Sequence, residues 1–205
     1  MKPLFRWLWP LFAALPLLAQ AAATEEKIIF IRHGEKPALG LGMLNCQGLN
    51  RALALPAVLV GKFGKPDFVF ASDPHEQKVD GGQAYNYVRP LLTVAPTAVQ
   101  LGLPINTSLG YDDIAGLQQE LADPRYHAAT VLVAWEHKMI EDLVKAMLQK
   151  LGSADKVPHW KGEDFDSIYV VTVRRDGGAT SASFALEHEQ LNGQSSSCPV
   201  PAAKP

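Results

Sequence analysis

The chain has 205 residues, of which 47% are hydrophobic and 20% charged. That length suits one ordinary domain, and the composition supports a packed core, which excludes a wholly disordered chain. Lys and Arg number 19 against 21 Asp and Glu, giving a net charge of -2. This balance argues against a strongly basic nucleic-acid binder but leaves room for a small basic pocket.

The first residues read as a targeting segment. Lys2 and Arg6 flank the start of an apolar run over 7–18, and Ala19-Gln20-Ala21 supplies a small-x-small cleavage pattern. A bilayer span needs roughly 18 apolar residues, and this run falls short of that. Residues 1–21 are therefore expected to be a cleaved signal peptide, 22–191 the folded domain, and 192–205 a Ser/Pro-rich tail that is mobile unless pinned. The expected location is secreted or periplasmic, with no membrane span in the mature chain. Cys46 and Cys198 are the only cysteines. An even pair in an oxidising compartment is expected to form a disulfide. No CxxC spacing exists, which excludes a zinc ribbon or thioredoxin-type redox motif.

Along the domain, residues 27–32 (KIIFIR) form a nearly continuous apolar run, as a buried strand requires. Residues 40–50 read as loop and 49–60 as a helix interrupted at Pro56. A second strand is predicted over 67–71, followed by a polar loop or lid over 72–87. Residues 90–101 read as a helix with a break near Pro96, and 112–121 as a helix with Asp112 or Asp113 at its N-cap. The run 130–135 (TVLVAW) is a buried strand, and 139–151 an amphipathic helix ended by Gly152. Strands over 168–173 and 180–186 are joined by a turn at Asp176-Gly177-Gly178, as a closing hairpin. Strands alternating with helices predict an α/β domain, a three-layer α/β/α sandwich with helices on both faces.

Chemistry gathers at strand ends. Arg32, His33, Gly34 and Glu35 directly follow the first strand, and Glu136-His137 directly follow the strand over 130–135. Ligands of open α/β sheets bind beyond the carboxyl ends of strands. A histidine there can attack a phosphoryl group while an arginine holds its oxygens. Gly34 is expected to allow close backbone approach to the ligand. Arg89, followed by Pro90, sits at a helix N-terminus, a second anion-binding feature. His75, His127, His159 and His188 lie in polar or loop contexts and are read as locally bonded.

These pieces together resemble the histidine phosphatase superfamily, the phosphoglycerate-mutase-like fold. Residues 31–35 (IRHGE) resemble its R-H-G-E signature. Residues 44–52 (LNCQGLNRA) resemble its L-T-x-x-G-x-x-Q-A segment, with Asn45 for Thr and Arg51 for Gln. Arg89 to Thr93 match R-A-x-x-T with Pro90 for Ala, and the strand over 130–135 is similar to the one that delivers the second catalytic histidine.

The resemblance implies a mostly parallel central sheet and a phosphomonoester hydrolase. His33 would become a transient phosphohistidine, with Arg32, Arg89 and His137 clamping the phosphate. It implies no metal or nucleotide cofactor; the expected partner is a small phosphorylated substrate. Glu136 is the first choice for general acid, with Asp112 and Asp113 as alternatives, and Glu35 could instead hold the loop. Lys138 is either a further anion contact or a solvated helix-start residue. The family separates its Ser from the following Arg by a few residues. Here the segment 73–88 lies between Ser72 and Arg89 and is expected at the pocket mouth. A phosphoryl-transfer mutase and a non-catalytic phospholigand-binding protein of the same fold are the alternatives.

Overall fold

Apolar runs become the middle of a six-stranded sheet. The computed structural model describes residues 22–199. Strands β1 (Thr24–Arg32), β2 (Phe68–Ala71), β5 (Ile105–Asn106), β6 (Thr130–Trp135), β7 (Ser167–Asp176) and β8 (Ala179–His188) pair in the order β5-β2-β6-β1-β7-β8. The contacts β5-β2, β2-β6 and β6-β1 are parallel, and β7 and β8 close the sheet antiparallel. The expected mostly parallel sheet is thus present.

Side-chain alternation along β1 sends Ile28 and Phe30 to one face and Ile29 and Ile31 to the other. The first face packs on α3 (Ile114–Leu121) and α4 (His137–Lys150) through Leu117, Leu121, Ile140 and Leu143. The second packs on α1 (Cys46–Phe63) and α2 (Arg89–Leu101) through Leu55, Leu59 and Val94. Helices therefore cover both faces, as the alternating pattern requires.

The two predicted helix breaks do not occur. α1 continues through Pro56 and α2 through Pro96. A proline removes one helical hydrogen bond and strains the turn before it, and burial of the flanking Leu55, Leu59, Val94 and Ala98 offsets that. α1 also starts within the segment read as loop, because the Asn45 side chain accepts the Gly48 N–H and caps it. The polar stretch read as loop or lid contains a hairpin, β3 (Gln77–Asp80) and β4 (Gln83–Asn86). A one-turn 3₁₀ helix (Pro124–Tyr126) precedes β6.

The tail is pinned over its described part. The Asn50 amide donates to the Ser195 and Ser197 carbonyls at 2.9 and 2.8 Å, and Cys46 is bonded to Cys198. The predicted signal peptide lies outside the described residues. Among the described residues no helix is long and apolar enough to cross a membrane.

The disulfide joins residues 152 apart. Closing a loop that long removes about 5 kcal/mol of unfolded-state entropy in the chain model, and measured gains are commonly about 2–4 kcal/mol. Reductant, or the double variant Cys46→Ser/Cys198→Ser, is expected to lower stability by about 2–4 kcal/mol. Urea unfolding with and without reductant checks this; an unchanged midpoint would contradict it.

Candidate active site

The two parallel strands β1 and β6 end side by side, with Arg32 opposite Trp135. The His33 N–H donates to the Trp135 carbonyl at 3.0 Å, extending the ladder by one rung. His137 opens α4 two residues after Trp135. Both sequence-predicted histidines thus emerge from neighbouring strand ends, buried at 3% and 7% exposure.

Arg89 is the first residue of α2, and Thr93 stands one turn later. The Thr93 hydroxyl donates to the Arg89 carbonyl and accepts the Gly34 N–H, both at 2.9 Å. The R-x-x-x-T spacing therefore ties the start of α2 to the loop carrying His33. The Tyr87 ring links these groups. Its centroid lies 5.9 Å from the His33 ring, and the Arg89 guanidinium carbon stands 4.7 Å over it. Arg32 donates to the Gly162 and Asp164 carbonyls at 2.8 Å and stacks 3.8 Å over Phe165, whose ring centroid lies 6.2 Å from that of His33.

The protonation state of His33 follows from its contacts. Its Nδ1 lies 2.7 Å from the Gly34 carbonyl. A carbonyl only accepts, so Nδ1 carries the proton and Nε2 keeps its lone pair. Burial pushes the imidazole well below its ordinary pKa, and the Arg89 and Arg32 charges add to this against the Gly34 bond. His33 is thus a neutral imidazole with an open Nε2, under the charges of Arg32 and Arg89.

Several buried polar atoms around it have no hydrogen-bond partner among the described residues: Arg32 Nε, Arg89 Nε, Ser72 Oγ, the Tyr87 hydroxyl and both His137 ring nitrogens. Leaving such groups unpaired is costly, and an oxyanion offers acceptors for the donors among them. The set suits a phosphate. Among the described residues no group of three or more His, Cys, Asp or Glu is arranged to hold a metal ion.

Glu136 caps α4, accepting the Lys138 and Met139 N–H groups at 2.9 and 3.1 Å. Its Oε1 lies 3.0 Å from His137 Nδ1, outside hydrogen-bonding geometry, and 3.9 Å from Lys78 Nζ. Burial alone would raise its pKa, but His137, the Lys78 charge and the helix N–H groups outweigh that and hold it at about 2. Glu136 reaches the site because β6 ends before it, so strand alternation no longer turns it away. The alternatives are placed less well. Asp113 caps α3 by accepting the Gly116 N–H, and Asp112 is exposed. Lys138 is exposed on the first turn of α4.

Arg51 and Arg125 are committed elsewhere. Arg51 is fully buried and grips Glu35 through Nε and Nη2, with Glu189 at 2.5 Å and Asp166 at 3.7 Å from Nη1. Glu35 therefore holds the loop to α1. Arg125 is half exposed and pairs with Asp123 at 3.0 Å.

Gly34 also packs directly against a second glycine. A Cβ there would press on the Gly48 backbone at 3.0 Å, and one on Gly48 would collide with the Glu35 carbonyl. The two glycines let the His33 loop lie directly on the start of α1. Gly48→Ala is expected to force these backbones apart, at about 1–3 kcal/mol of stability and on the order of 100-fold in turnover. Denaturation and steady-state kinetics of the variant check both; wild-type turnover would contradict the packing argument.

Sequence reasoning did not single out Tyr87, Phe165, Asp80 and Lys78 as site residues. Asp80 accepts from Arg89 Nη1 at 2.6 Å and from the Gly42 N–H at 3.2 Å. A signal for the hairpin existed, since Asp80-Gly81-Gly82 repeats the turn chemistry of Asp176-Gly177-Gly178.

No protein-family model matches the chain, and no curated protein sequence does either. Solved structures do. A mycobacterial glucosyl-3-phosphoglycerate phosphatase aligns with a TM-score of 0.52 and 14% identity, covering 78% of this chain and 97% of that one. A SixA protein of Nakamurella multipartitia, carrying the name phosphohistidine phosphatase, aligns with a TM-score of 0.50 and 16% identity, covering 82% and 98%. At such identity the likeness speaks for the fold, and it spans nearly the whole of both relatives. The chain shares the fold of these two phosphatase structures, the phosphoglycerate-mutase-like fold.

Proposed function

We propose that the protein is a phosphatase that hydrolyses small phosphomonoesters through a phosphohistidine on His33. The observation that carries this reading is His33 with its Nδ1 on the Gly34 carbonyl, its Nε2 free, and the Arg32 and Arg89 charges acting on it. His33 Nε2 attacks phosphorus, the ester P–O bond breaks, and the leaving oxygen takes a proton. Water then attacks the phosphohistidine, releasing inorganic phosphate and restoring the imidazole. Arg32, Arg89 and His137 hold the phosphoryl oxygens and offset the charge that spreads over them. Arg89 is oriented for this by Asp80, which engages Nη1 while Nε stays unpartnered.

Glu136 handles the leaving-group proton. It is ionised in the free protein, and an arriving phosphate adds negative charge beside it, lifts its pKa and lets it take up the proton it then donates. We place the protein outside the cytoplasm. The Cys46–Cys198 bond supports this, since disulfides persist in oxidising compartments.

The test is phosphate release from a panel of phosphomonoesters without added metal. Turnover of at least one class is the expected result. Saturable binding of inorganic phosphate or vanadate with no turnover of any ester would replace the phosphatase reading with that of a phospholigand-binding protein.

A further inference from the structure

The hairpin inserted between Ser72 and Arg89 carries its own cation to the pocket. Successive strand residues face opposite ways. On β3, Val79 is 67% exposed while its neighbour Asp80 is 7% exposed, so Lys78 and Asp80 flank an outward-facing residue. Asp80 fixes the hairpin through Arg89, the Gly42 N–H and Lys36 at 3.4 Å. The loop before α1 packs against it so closely that a Cβ on Gly42 would collide with the Asn86 carbonyl. The hairpin is thus a fixed wall of the site.

Lys78 Nζ stands 4.6 Å over the Tyr111 ring and 5.1 Å over Tyr87, the ring whose centroid is 5.9 Å from His33. Aromatic faces orient a cation without neutralising its charge. Its nearest carboxylate oxygen, Glu136 Oε1, is 3.9 Å away, and the other oxygen of Glu136 caps α4. Lys78 is therefore held, partly desolvated and weakly paired. It comes from the inserted wall, whereas Arg32, His33 and His137 come from the strand ends. In an in-line displacement the leaving group lies on the far side of phosphorus from the attacking nitrogen. Lys78 stands 3.9 Å from Glu136, the group assigned above to the leaving-group proton, so this cation lies toward the leaving group.

We propose that Lys78 is a specificity residue that binds a second anionic group, such as a carboxylate, on the leaving group of the substrate. The inference rests on the phosphatase reading of the same site and narrows its substrates to phosphomonoesters of anionic alcohols.

Phosphoglycolate and ethyl phosphate, alike in size but with and without the carboxylate, separate the possibilities. Lys78→Met is expected to lower kcat/KM for phosphoglycolate by about 10- to 100-fold, the range for losing a hydrogen bond to a charged group. Ethyl phosphate should lose less than about threefold, and Lys78→Arg should recover most of the discrimination. Equal losses on both esters would make Lys78 a contact of the transferred phosphoryl group and overturn the proposal. No loss on either would overturn it as well. Calorimetric binding of the same two esters to His33→Ala, with and without Lys78→Met, decides the matter independently of turnover. Selective weakening of phosphoglycolate there supports the proposal even if the wild type hydrolyses nothing, a result that would sink the phosphatase reading alone. Equal affinity of His33→Ala for both esters would overturn the proposal.

Discussion

His33→Ala is expected to abolish phosphomonoester hydrolysis, with a loss on the order of a thousandfold or more in kcat, as for nucleophiles that act as part of a unit. The backbone at this position is held by its N–H to Trp135 and by the packing of Gly34 on Gly48, neither of which involves the imidazole. Fold and phosphate binding should therefore survive. The variant also has a signature in pH. An imidazole held neutral in the fold favours the native state above its unfolded pKa of 6.5, and that contribution is lost as pH falls from there toward the depressed folded value. The alanine variant should lack this acid-side loss. Near-wild-type turnover in His33→Ala, measured by phosphate release, would remove the nucleophile from the account.

Arg51→Met is expected to cost about 3–5 kcal/mol of stability, the range for breaking a buried ion pair from one side. Arg51 is fully buried, and its removal leaves Glu35, Glu189 and Asp166 facing one another without their shared cation. The loss also reaches the site, because Glu35 adjoins Gly34 in the His33 loop. Guanidinium unfolding checks the first effect. Adding Glu35→Gln and Glu189→Gln to Arg51→Met should recover part of the stability, since the carboxyl groups left without their shared cation then go too. A loss below about 1 kcal/mol from Arg51→Met would mean that the network does not hold α1 to the loop.

The strand ends were legible in the sequence because burial on both faces writes itself as continuous apolar runs. KIIFIR and TVLVAW end directly in Arg32-His33 and Glu136-His137, so their address could be read. What could not be read has a common cause, that contacts distant in sequence decided it. Pro56 and Pro96 looked like breaks by local rules, yet burial between the helices and the sheet carries both helices through. The two strands of the inserted hairpin carry little apolar residue, because Asp80 holds the hairpin through Arg89, Lys36 and the Gly42 N–H. Gly34 also lies against Gly48, and only the fold brings these together. Arg51, which stands where the family has Gln, proved to be a structural cation whose partner Glu189 is 138 residues away.

The proposed hydrolysis depends on a covalent phosphoryl group on His33. Rapid quenching of the enzyme during turnover of a phosphorus-labelled ester, under non-acidic conditions that preserve phosphohistidine, followed by peptide mapping, tests it most directly. Label is expected on the peptide containing His33, forming and decaying at rates compatible with turnover, and none in His33→Ala. Label on any other residue, or steady turnover with no labelled protein at any quench time, would contradict it.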